Sequence, residues 1–593
     1  MNERRGIAET LNDIATVQYE QGNYRSALET AVRAVAIARE IGFRETLWEA
    51  PTTAGRAHRM LGQSEQSRHS FEEAIAAIED FRTQVGGGEQ QLQQFFENKV
   101  SPYHSMVELL TAQNNHREAL VYAERAKSRV LLDVLQASSR SVTKNMTAEE
   151  QQQEQRLRSE LVSVNSEVSR ERQRPQLDQT HLPGLNARLE KARFDYEAFQ
   201  TTLYAAHPEL RVQRGEAKTL TLEDARGLLT DQDALMEYVV TDKKIYLFVL
   251  TTEAGLTSRV PTLKSYTLPI TRNDLAAQVT AFRQQLARRD LTFKVAANKL
   301  HELLIRPARA ELQGKRTVVI VPDGVLWELP FQALTDTNGH YLVEDHAISY
   351  APSLTVLREM TRVREQKKRV SSELNLLAIG NPELRNVIAE RVSLVHRDEK
   401  LGPLPEAEKE VTILGQLYGP GSAIYIGPDA REDRFKQEAG RFNVLHLATH
   451  GILNNASPMY SQIVLAQSDT GEDGLLEAWE IMKLHLNADL VVLSACESGL
   501  GRVGVGEGMI GLTWALFVAG SPTSVVSQWK VDSASTTALM LEFHRNLRAG
   551  VKSPRNNVSI AQALQAASLK LLRQKEYRHP FYWAPFVVVG DAH

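Results

Sequence analysis

Two stretches near the C-terminal end decide the fold: FNVLHLATHG (residues 442–451) and ADLVVLSACESG (residues 488–499). Each is a short apolar run that closes on turn-forming residues, which predicts two buried β-strands. The 46 positions between His450 and Cys496 leave room for a loop and a helix, so the strands can be parallel neighbours joined by a right-handed crossover. In open α/β sheets functional groups gather beyond the carboxyl ends of strands, which is where these two side chains lie.

A cysteine and a histidine at neighbouring strand ends suit nucleophilic catalysis. The thiolate is the reactive form of cysteine, and an imidazole near neutral pH can take the thiol proton and protonate a departing amine. Backbone N–H groups at Gly451 and Cys496 can stabilise an oxyanion, because glycine lets its peptide approach closely. The sequence therefore predicts Cys496 as the nucleophile and His450 as the base.

Five motifs occur in one order along the chain: HLATHG, LVVLSACESGLG, GEGMIGLTWALFVAG, VVSQWKVDS and HPFYWAPFVVVGD. Together they resemble the CHAT branch of the caspase, separase and gingipain group of cysteine peptidases, over roughly residues 220 to 593. The resemblance implies an α/β caspase-like domain made of an inactive-looking half and an active half. It also implies cysteine endopeptidase activity and fusion to tetratricopeptide repeats.

The resemblance further implies a substrate pocket that includes Trp529 and Asp532. In the group, this stretch contributes to the pocket for the residue before the scissile bond, and an acidic floor there favours Arg or Lys. Many members carry a second acidic residue where this chain has Ser533, so basic specificity stays open. The alternative is that Asp532 caps a helix that begins near Ser535.

Helical repeats are predicted over residues 1–135, as part of a tetratricopeptide solenoid. Small and large residues recur at the spacing of a tetratricopeptide helix pair, and stacked pairs bury a face that one pair cannot bury alone. The recurring positions are Ile14, Ala15, Gly22, Tyr24, Ala27 and Ala34, then Ala54, Gly55, Gly62, Phe71 and Ala74, then Met106, His116, Ala119 and Ala126. The repeats either bind a regulatory protein partner or form a spacer that docks on the C-terminal domain. The chain is also compatible with being the C-terminal part of a longer repeat protein.

Three further segments follow the repeats. Residues 136–218 are polar and predict a connecting hairpin of two long helices, with a thin apolar stripe at Leu157, Leu161, Val164 and Val168. Residues 219–400 alternate strands with helices and offer no nucleophile–base pair, so they correspond to the inactive-looking half. Residues 401–593 form the catalytic half, with a buried helix predicted at 509–519.

The composition of the chain indicates which kinds of partner and which compartment to expect. The chain has 69 Lys and Arg against 73 Asp and Glu, a formal charge of −4, which gives no reason to expect a direct nucleic-acid partner. Its single cysteine excludes an internal disulfide and favours a reducing compartment. The sequence shows no secretion signal and no apolar stretch long enough to span a bilayer, so we expect a cytoplasmic protein without membrane attachment.

Metal and cofactor sites are not predicted. On a strand, His446 and His450 would lie about 13 Å apart, too far to share one ion, so His446 is expected to be a buried strand residue with local hydrogen bonds. The run GLGRVG (residues 499–504) matches the dinucleotide fingerprint only weakly, because three residues separate it from the strand and no acidic residue follows at a second strand end.

The sequence thus predicts a cysteine endopeptidase that cleaves protein or peptide substrates and is regulated or recruited through its repeats. The first alternative is a repeat scaffold whose caspase-like domain is catalytically idle. A nucleotide-dependent enzyme is a second alternative, and it rests on the glycine run alone.

Overall fold

Helical repeats at the N-terminus precede one large α/β sheet. The computed structural model describes residues 2–41, 43–84, 99–139, 181–206, 220–253, 260–367, 374–384, 401–452, 460–468, 471–494, 503–504, 508–509, 511–529, 531–552 and 558–592, with scattered residues between 147 and 167. Within these ranges, no helix combines the length and the apolar character needed to cross a membrane.

In the described residues, three helix pairs make up the repeats. The pairs are α1 (Asn2–Glu20) with α2 (Tyr24–Ile41), α3 (Arg44–Met60) with α4 (Ser64–Gln84), and α5 (Ser101–Ala112) with α6 (His116–Ser139). The same turn joins the helices of each pair, with a left-handed residue at Gly22 (φ 82°), Gly62 (φ 76°) and Asn114 (φ 60°). Glycine and asparagine adopt this conformation most readily, so the recurring turn chemistry explains the recurring structure.

Close helix approach within a pair depends on a small residue facing a large one. A Cβ added at Gly55 would lie 2.5 Å from the ring of Phe71, so the ring fills the space that any side chain at position 55 would need. Phe71 is fully buried. Both residues belong to the predicted repeat pattern, and their contact shows why the pattern pairs a glycine with an aromatic residue.

The connector contains the predicted helical hairpin as far as the structure describes it. The described residues between 149 and 167 are helical, and α7 (His181–Ala206) follows. Val164 packs against Leu185 and Leu189, which joins the two helices along the predicted apolar stripe. Leu161 and Val168 of that stripe lie outside the described residues.

The C-terminal part contains strands that alternate with helices. The strands are β1 (Asp233–Val240), β2 (Ile245–Thr251), β3 (Thr262–Leu268), β4 (Thr317–Val321), β5 (Ala347–Tyr350), β6 (Leu376–Pro382), β7 (Ala423–Gly427), β8 (Val444–Ala448), β9 (Gly451–Ile452), β10 (Gln462–Val464), β11 (Leu475–Glu477), β12 (Leu490–Leu493), β13 (Val503–Gly504), β14 (Gly508–Met509), β15 (Thr523–Ser527) and β16 (Phe586–Gly590). The α-helices are α8 (Arg272–Ala287), α9 (Phe293–Leu304), α10 (Arg309–Leu312), α11 (Leu342–Asp345), α12 (Leu354–Gln366), α13 (Pro405–Tyr418), α14 (Glu432–Glu438), α15 (Ala478–Ile481), α16 (Leu512–Ala519), α17 (Ser533–Lys552), α18 (Ile560–Leu572) and α19 (Pro580–Trp583).

Eleven strands form one mixed sheet in the order β3-β2-β1-β4-β5-β16-β15-β12-β8-β6-β7, beside a three-stranded sheet of β9, β10 and β11 and a ribbon of β13 and β14. The pairing of β16 with β15 is antiparallel, whereas β16 is parallel to β5. The sheet therefore consists of two blocks whose parallel strands run in opposite directions, and the two predicted halves share one continuous sheet.

Two sequence boundaries differ from the structure. Strand β6 lies inside the predicted first half (219–400) but pairs with β7 and β8 of the second block. By sheet pairing the second block therefore starts before β6. The predicted helix at 509–519 begins only at Leu512, because Met509 belongs to β14 and Gly511, with a φ of 110°, precedes the helix.

The third repeat is packed directly on the sheet domain. The buried carboxylate of Glu124 on α6 accepts hydrogen bonds from the backbone N–H groups of Leu354 (2.8 Å) and Thr355 (2.7 Å) at the start of α12. One turn further, the Lys127 ammonium lies 3.2 Å from the buried carboxylate of Glu237 on β1. Burial raises the pKa of Glu237, and the Lys127 charge opposes that shift. The repeats and the sheet thus share a charged, fully buried interface.

Candidate active site at the carboxyl edge of the sheet

The two strands that organise the sequence are parallel neighbours, as predicted. Leu447 of β8 lies opposite Leu493 of β12, so both strands end at the same edge of the sheet. His450 follows β8 by two residues, and Ser494 follows β12 directly. Cys496 itself lies outside the described residues, so its role as the nucleophile stays a prediction.

A backbone carbonyl orients the imidazole of His450. Its Nε2 lies 2.9 Å from the carbonyl oxygen of Gly402, just before α13. A carbonyl oxygen can only accept, so Nε2 carries the proton and Nδ1 keeps the lone pair that a base needs. The sequence pattern indicated no side chain that would orient His450. The backbone carbonyl that does so could not be predicted, because it has no sequence signal.

Strand β9 orients the peptide that follows His450. The Val464 N–H on β10 donates to the His450 carbonyl at 2.9 Å, and Gly451 lies opposite Ile463. In an antiparallel ladder such pairs alternate, so Gly451 and Ile463 exchange no hydrogen bond and the Gly451 N–H points away from β10. This direction suits the predicted role of Gly451 as an oxyanion donor.

A buried chain of polar side chains lies on one face of the sheet, next to β8. His446 on β8 lies with Nε2 2.7 Å from the Glu410 carboxylate and with Nδ1 3.1 Å from His544 Nε2, and His544 Nδ1 lies 2.8 Å from the Tyr418 hydroxyl. Burial and the nearby His446 lower the pKa of His544 well below its usual value. The neutral His544 therefore forms a hydrogen bond with His446 through one ring nitrogen and with Tyr418 through the other. We call Glu410, His446, His544 and Tyr418 the histidine relay.

The histidine relay confirms that His446 is a buried strand residue and corrects the expectation of local bonding. Its partners come from α13 and α17, which pack on the same face of the sheet. The relay thus fixes β8 against α13, the helix that follows Gly402. The available sequence signal was a charged or polar residue on the buried face of an amphipathic helix, as at Glu410 and His544.

Replacing His446 with alanine is expected to lower the free energy of unfolding by about 3–5 kcal/mol, because it leaves the buried Glu410 carboxylate without its partner. Urea denaturation of the full chain measures this loss. The matched control is His450→Ala, which removes a partly exposed imidazole and should cost less than about 1 kcal/mol. Equal stability of both variants would contradict a structural role for His446.

Both predicted pocket residues line one groove at the same edge. Strand β15 is parallel to β12, and Trp529 follows its end by two residues. Trp529, Asp532 and Phe581 border a groove of about 560 Å³, whose other wall is the exposed face of α8. The Asp532 carboxylate also accepts the Ser535 N–H at 3.0 Å, which confirms the alternative that it caps α17. A role of this groove in binding substrate stays a prediction.

Three carboxylates gather beside the small sheet, from Glu432, Glu472 and Glu480. The Lys436 ammonium lies 2.7–2.8 Å from an oxygen of each of them. Burial raises the pKa of Glu432 to about 7, while Lys436 favours its charged form. The amine occupies the centre of this cluster, so the cluster is a partly buried ion network that holds α14 against α15 and the loop before β11.

The CHAT domain model matches residues 294–591, half of the chain. The chain belongs to the CHAT-domain family. The match begins at the start of α9, so β1, β2 and β3 lie before it and complete the sheet of the CHAT domain. The predicted family and fold class are confirmed: helical repeats precede an α/β CHAT domain.

Human and mouse tetratricopeptide repeat protein 28 are similar to this CHAT protein. They are 26% and 25% identical to it over alignments of 355 and 347 positions, which cover 52% and 51% of this chain. The aligned regions are 13% and 14% of the relatives' own length, so the chain spans only a small part of them.

Two solved structures are also similar. The Saccharomyces cerevisiae separase–securin complex at 3.0 Å resolution matches with a TM-score of 0.41 and 9% identity, over 98% of this chain and 53% of that one. The Arg-specific cysteine proteinase gingipain R matches with a TM-score of 0.33 and 14% identity, over 50% of this chain and 67% of that one.

Proposed function

We propose that this CHAT domain is a cysteine endopeptidase. The observation that carries the proposal is His450, held by the Gly402 carbonyl at the end of β8, beside the parallel strand that leads to Cys496. Only two residues separate the end of β12 at Leu493 from Cys496. A thiol there and a neighbouring imidazole are the two groups that acyl transfer needs.

The proposed reaction proceeds by two acyl transfers. Cys496 Sγ, as the thiolate, attacks the peptide carbonyl carbon while His450 Nδ1 holds the thiol proton. Collapse of the tetrahedral intermediate breaks the C–N bond, and the imidazolium gives its proton to the departing amine. Water, deprotonated by the same imidazole, then cleaves the thioester and restores the thiol. The N–H groups of Gly451 and Cys496 stabilise the oxyanion in both steps.

The repeats are proposed to recruit or regulate the peptidase through a protein partner. The buried contacts of Glu124 and Lys127 make separation of the third repeat from the sheet costly, so regulation acts through the packed interface rather than through release of the array. Helix α6 contacts α16, the helix that follows ribbon β13–β14 and the segment containing Cys496. Through this contact, a partner bound on the repeats can shift the helix that follows the segment containing Cys496.

A binder of the first two repeats is expected to change the rate of peptide cleavage by the full chain. A tenfold change needs only about 1.4 kcal/mol of differential affinity between two states of the interface. The measurement uses one peptide substrate and synthetic antibody fragments selected on residues 2–84, with fragments selected on α18 as the control. Unchanged rates with every bound fragment would mean that the repeats only deliver substrate.

An idle scaffold is the rival function, and thiol reactivity tests the peptidase against it. Labelling of the single cysteine by iodoacetamide should be fast in the native chain and slower in His450→Ala, because the imidazole maintains the thiolate. The proposed location is the cytoplasm, where a reducing environment keeps this thiol free. Slow labelling that is independent of His450 would favour the scaffold.

A further inference from the structure

Two arginines, Arg283 and Arg289, line the groove that contains Trp529 and Asp532. Arg283 pairs with Glu328 and also donates to the Gln528 carbonyl at 3.1 Å. Asp532 accepts from the N-terminus of α17. No carboxylate in the described part of the chain pairs with Arg289, whose guanidinium donates to the Tyr582 hydroxyl at 2.9 Å. A positive charge therefore stands at this end of the groove.

The guanidinium of Arg289 is held in place by two aromatic rings. It lies 5.0 Å from the ring centre of Phe581 and 5.9 Å from that of Tyr582. Such stacking orients an arginine while leaving its remaining N–H donors available for a carboxylate. The exposed side chain of Arg289 is thus preorganised on the groove wall.

The backbone of Arg289 is unusual for its residue type. Its φ is 56°, and the other two described non-glycine residues with positive φ are Asn114 and Asn381. The position lies two residues after the end of α8, where glycine is favoured because it adopts this conformation without strain. Strain of this kind concentrates at binding and catalytic sites.

Exposed apolar residues follow Arg289 along the chain. Leu291, two residues before α9, and Val295, in its first turn, are 76% and 77% exposed, and they are the most exposed of the large hydrophobic residues described. Trp529 and Phe581 supply apolar walls inside the groove. A partner that fits this surface combines a large apolar side chain with a negative charge.

We propose that the groove binds a segment of the protein substrate in which an Asp or Glu lies beside a large apolar residue, with the carboxylate on Arg289. The proposal rests on the proposed peptidase function, because the groove lies at the sheet edge that carries His450. It makes Arg289 a specificity-determining residue and assigns Asp532 to capping α17 rather than to binding a basic side chain.

The test measures peptide binding to the full chain carrying Cys496→Ala, which cannot cleave. Three fluorescein-labelled peptide pools share degenerate flanks around a fixed Leu-Glu, Leu-Gln or Leu-Lys pair. We expect the Leu-Glu pool to bind about fivefold tighter than the Leu-Gln pool at low salt, and this advantage to shrink as salt rises. Fluorescence anisotropy reports each affinity.

Three variants sharpen the test. Arg289→Gly should remove the preference for Leu-Glu while leaving Tm unchanged or higher, because glycine relieves the left-handed strain. Arg289→Glu should reverse the order of the pools. The control Arg288→Ala, an exposed neighbour on the same corner, should retain the preference.

Equal binding of the Leu-Glu and Leu-Gln pools would overturn the proposal. So would tightest binding of the Leu-Lys pool with loss in Asp532→Asn, since the groove would then select a basic side chain. The native chain separates this proposal from the peptidase function. If the native chain cleaves peptides without preferring the Leu-Glu pair, the peptidase function stands and the groove proposal falls. If it prefers the Leu-Glu pair but cleaves nothing, the groove proposal stands and the peptidase function falls.

Discussion

Replacing His450 with alanine is expected to slow peptide cleavage by about 100- to 10,000-fold, the range that general acid–base catalysis contributes. In the proposed mechanism the imidazole accepts the thiol proton of Cys496 and returns it to the leaving amine, and no other described histidine lies at the end of β8 or β12. The thermal stability should hardly change, because His450 is only partly buried. Steady-state kinetics at several pH values measure the loss.

The control for His450 is a substitution that removes a histidine without touching the reaction. His340 is exposed in the turn before α11 and follows neither β8 nor β12, so His340→Ala should keep full activity. Retention of more than about a tenth of native activity in His450→Ala would contradict the assigned base. Loss of activity in His446→Ala at unchanged stability would instead assign the base to His446 and show that His450 is the wrong residue.

Replacing Glu124 with alanine is expected to lower the free energy of unfolding by about 3–5 kcal/mol. The change leaves the buried N–H groups of Leu354 and Thr355 without an acceptor, and the Thr355 hydroxyl loses its bond to the same carboxylate. Each buried donor left unpaired costs about 1–3 kcal/mol. Urea denaturation of the full chain, followed by circular dichroism, measures the effect.

Glu118 on the same helix provides the matched control. It pairs with Arg68 at a site where both side chains are about one-third exposed, so Glu118→Ala should cost less than about 1 kcal/mol. Glu124→Gln should recover part of the loss, since an amide oxygen can still accept. Equal effects of the two alanine substitutions would show that the interface between the repeats and the sheet contributes little to stability.

The order of elements was predictable because it depends on local patterns. Small and large residues at fixed spacing predicted the repeats, and Gly22 and Gly62 fall at the turns that need a positive φ. Apolar runs that end at glycine predicted β8 and β12 as parallel neighbours. The pairing of β6 with β8 could not be predicted from local sequence patterns, because sheet order depends on which strands meet after the helices have packed.

The candidate site was predictable only where a side chain carries the chemistry. His450, Trp529 and Asp532 are found at one edge of the sheet; the strand end predicted the place of His450, and the family resemblance suggested the other two. The Gly402 carbonyl has no signature, because every residue carries the same backbone group. The histidine relay and the contacts of Arg289 could be found only in the structure. They join residues from separate elements that have no common spacing in the sequence.

The central claim is tested most directly by incubating the native chain with a diverse peptide library and identifying the products by mass spectrometry. A peptidase that uses Cys496 and His450 predicts new peptide ends in the native chain and none in Cys496→Ala or His450→Ala at equal stability. A binder of residues 2–84 is included in parallel samples to cover activation through the repeats. The same new ends in Cys496→Ala as in the native chain, or no cleavage under any of these conditions, would contradict the account.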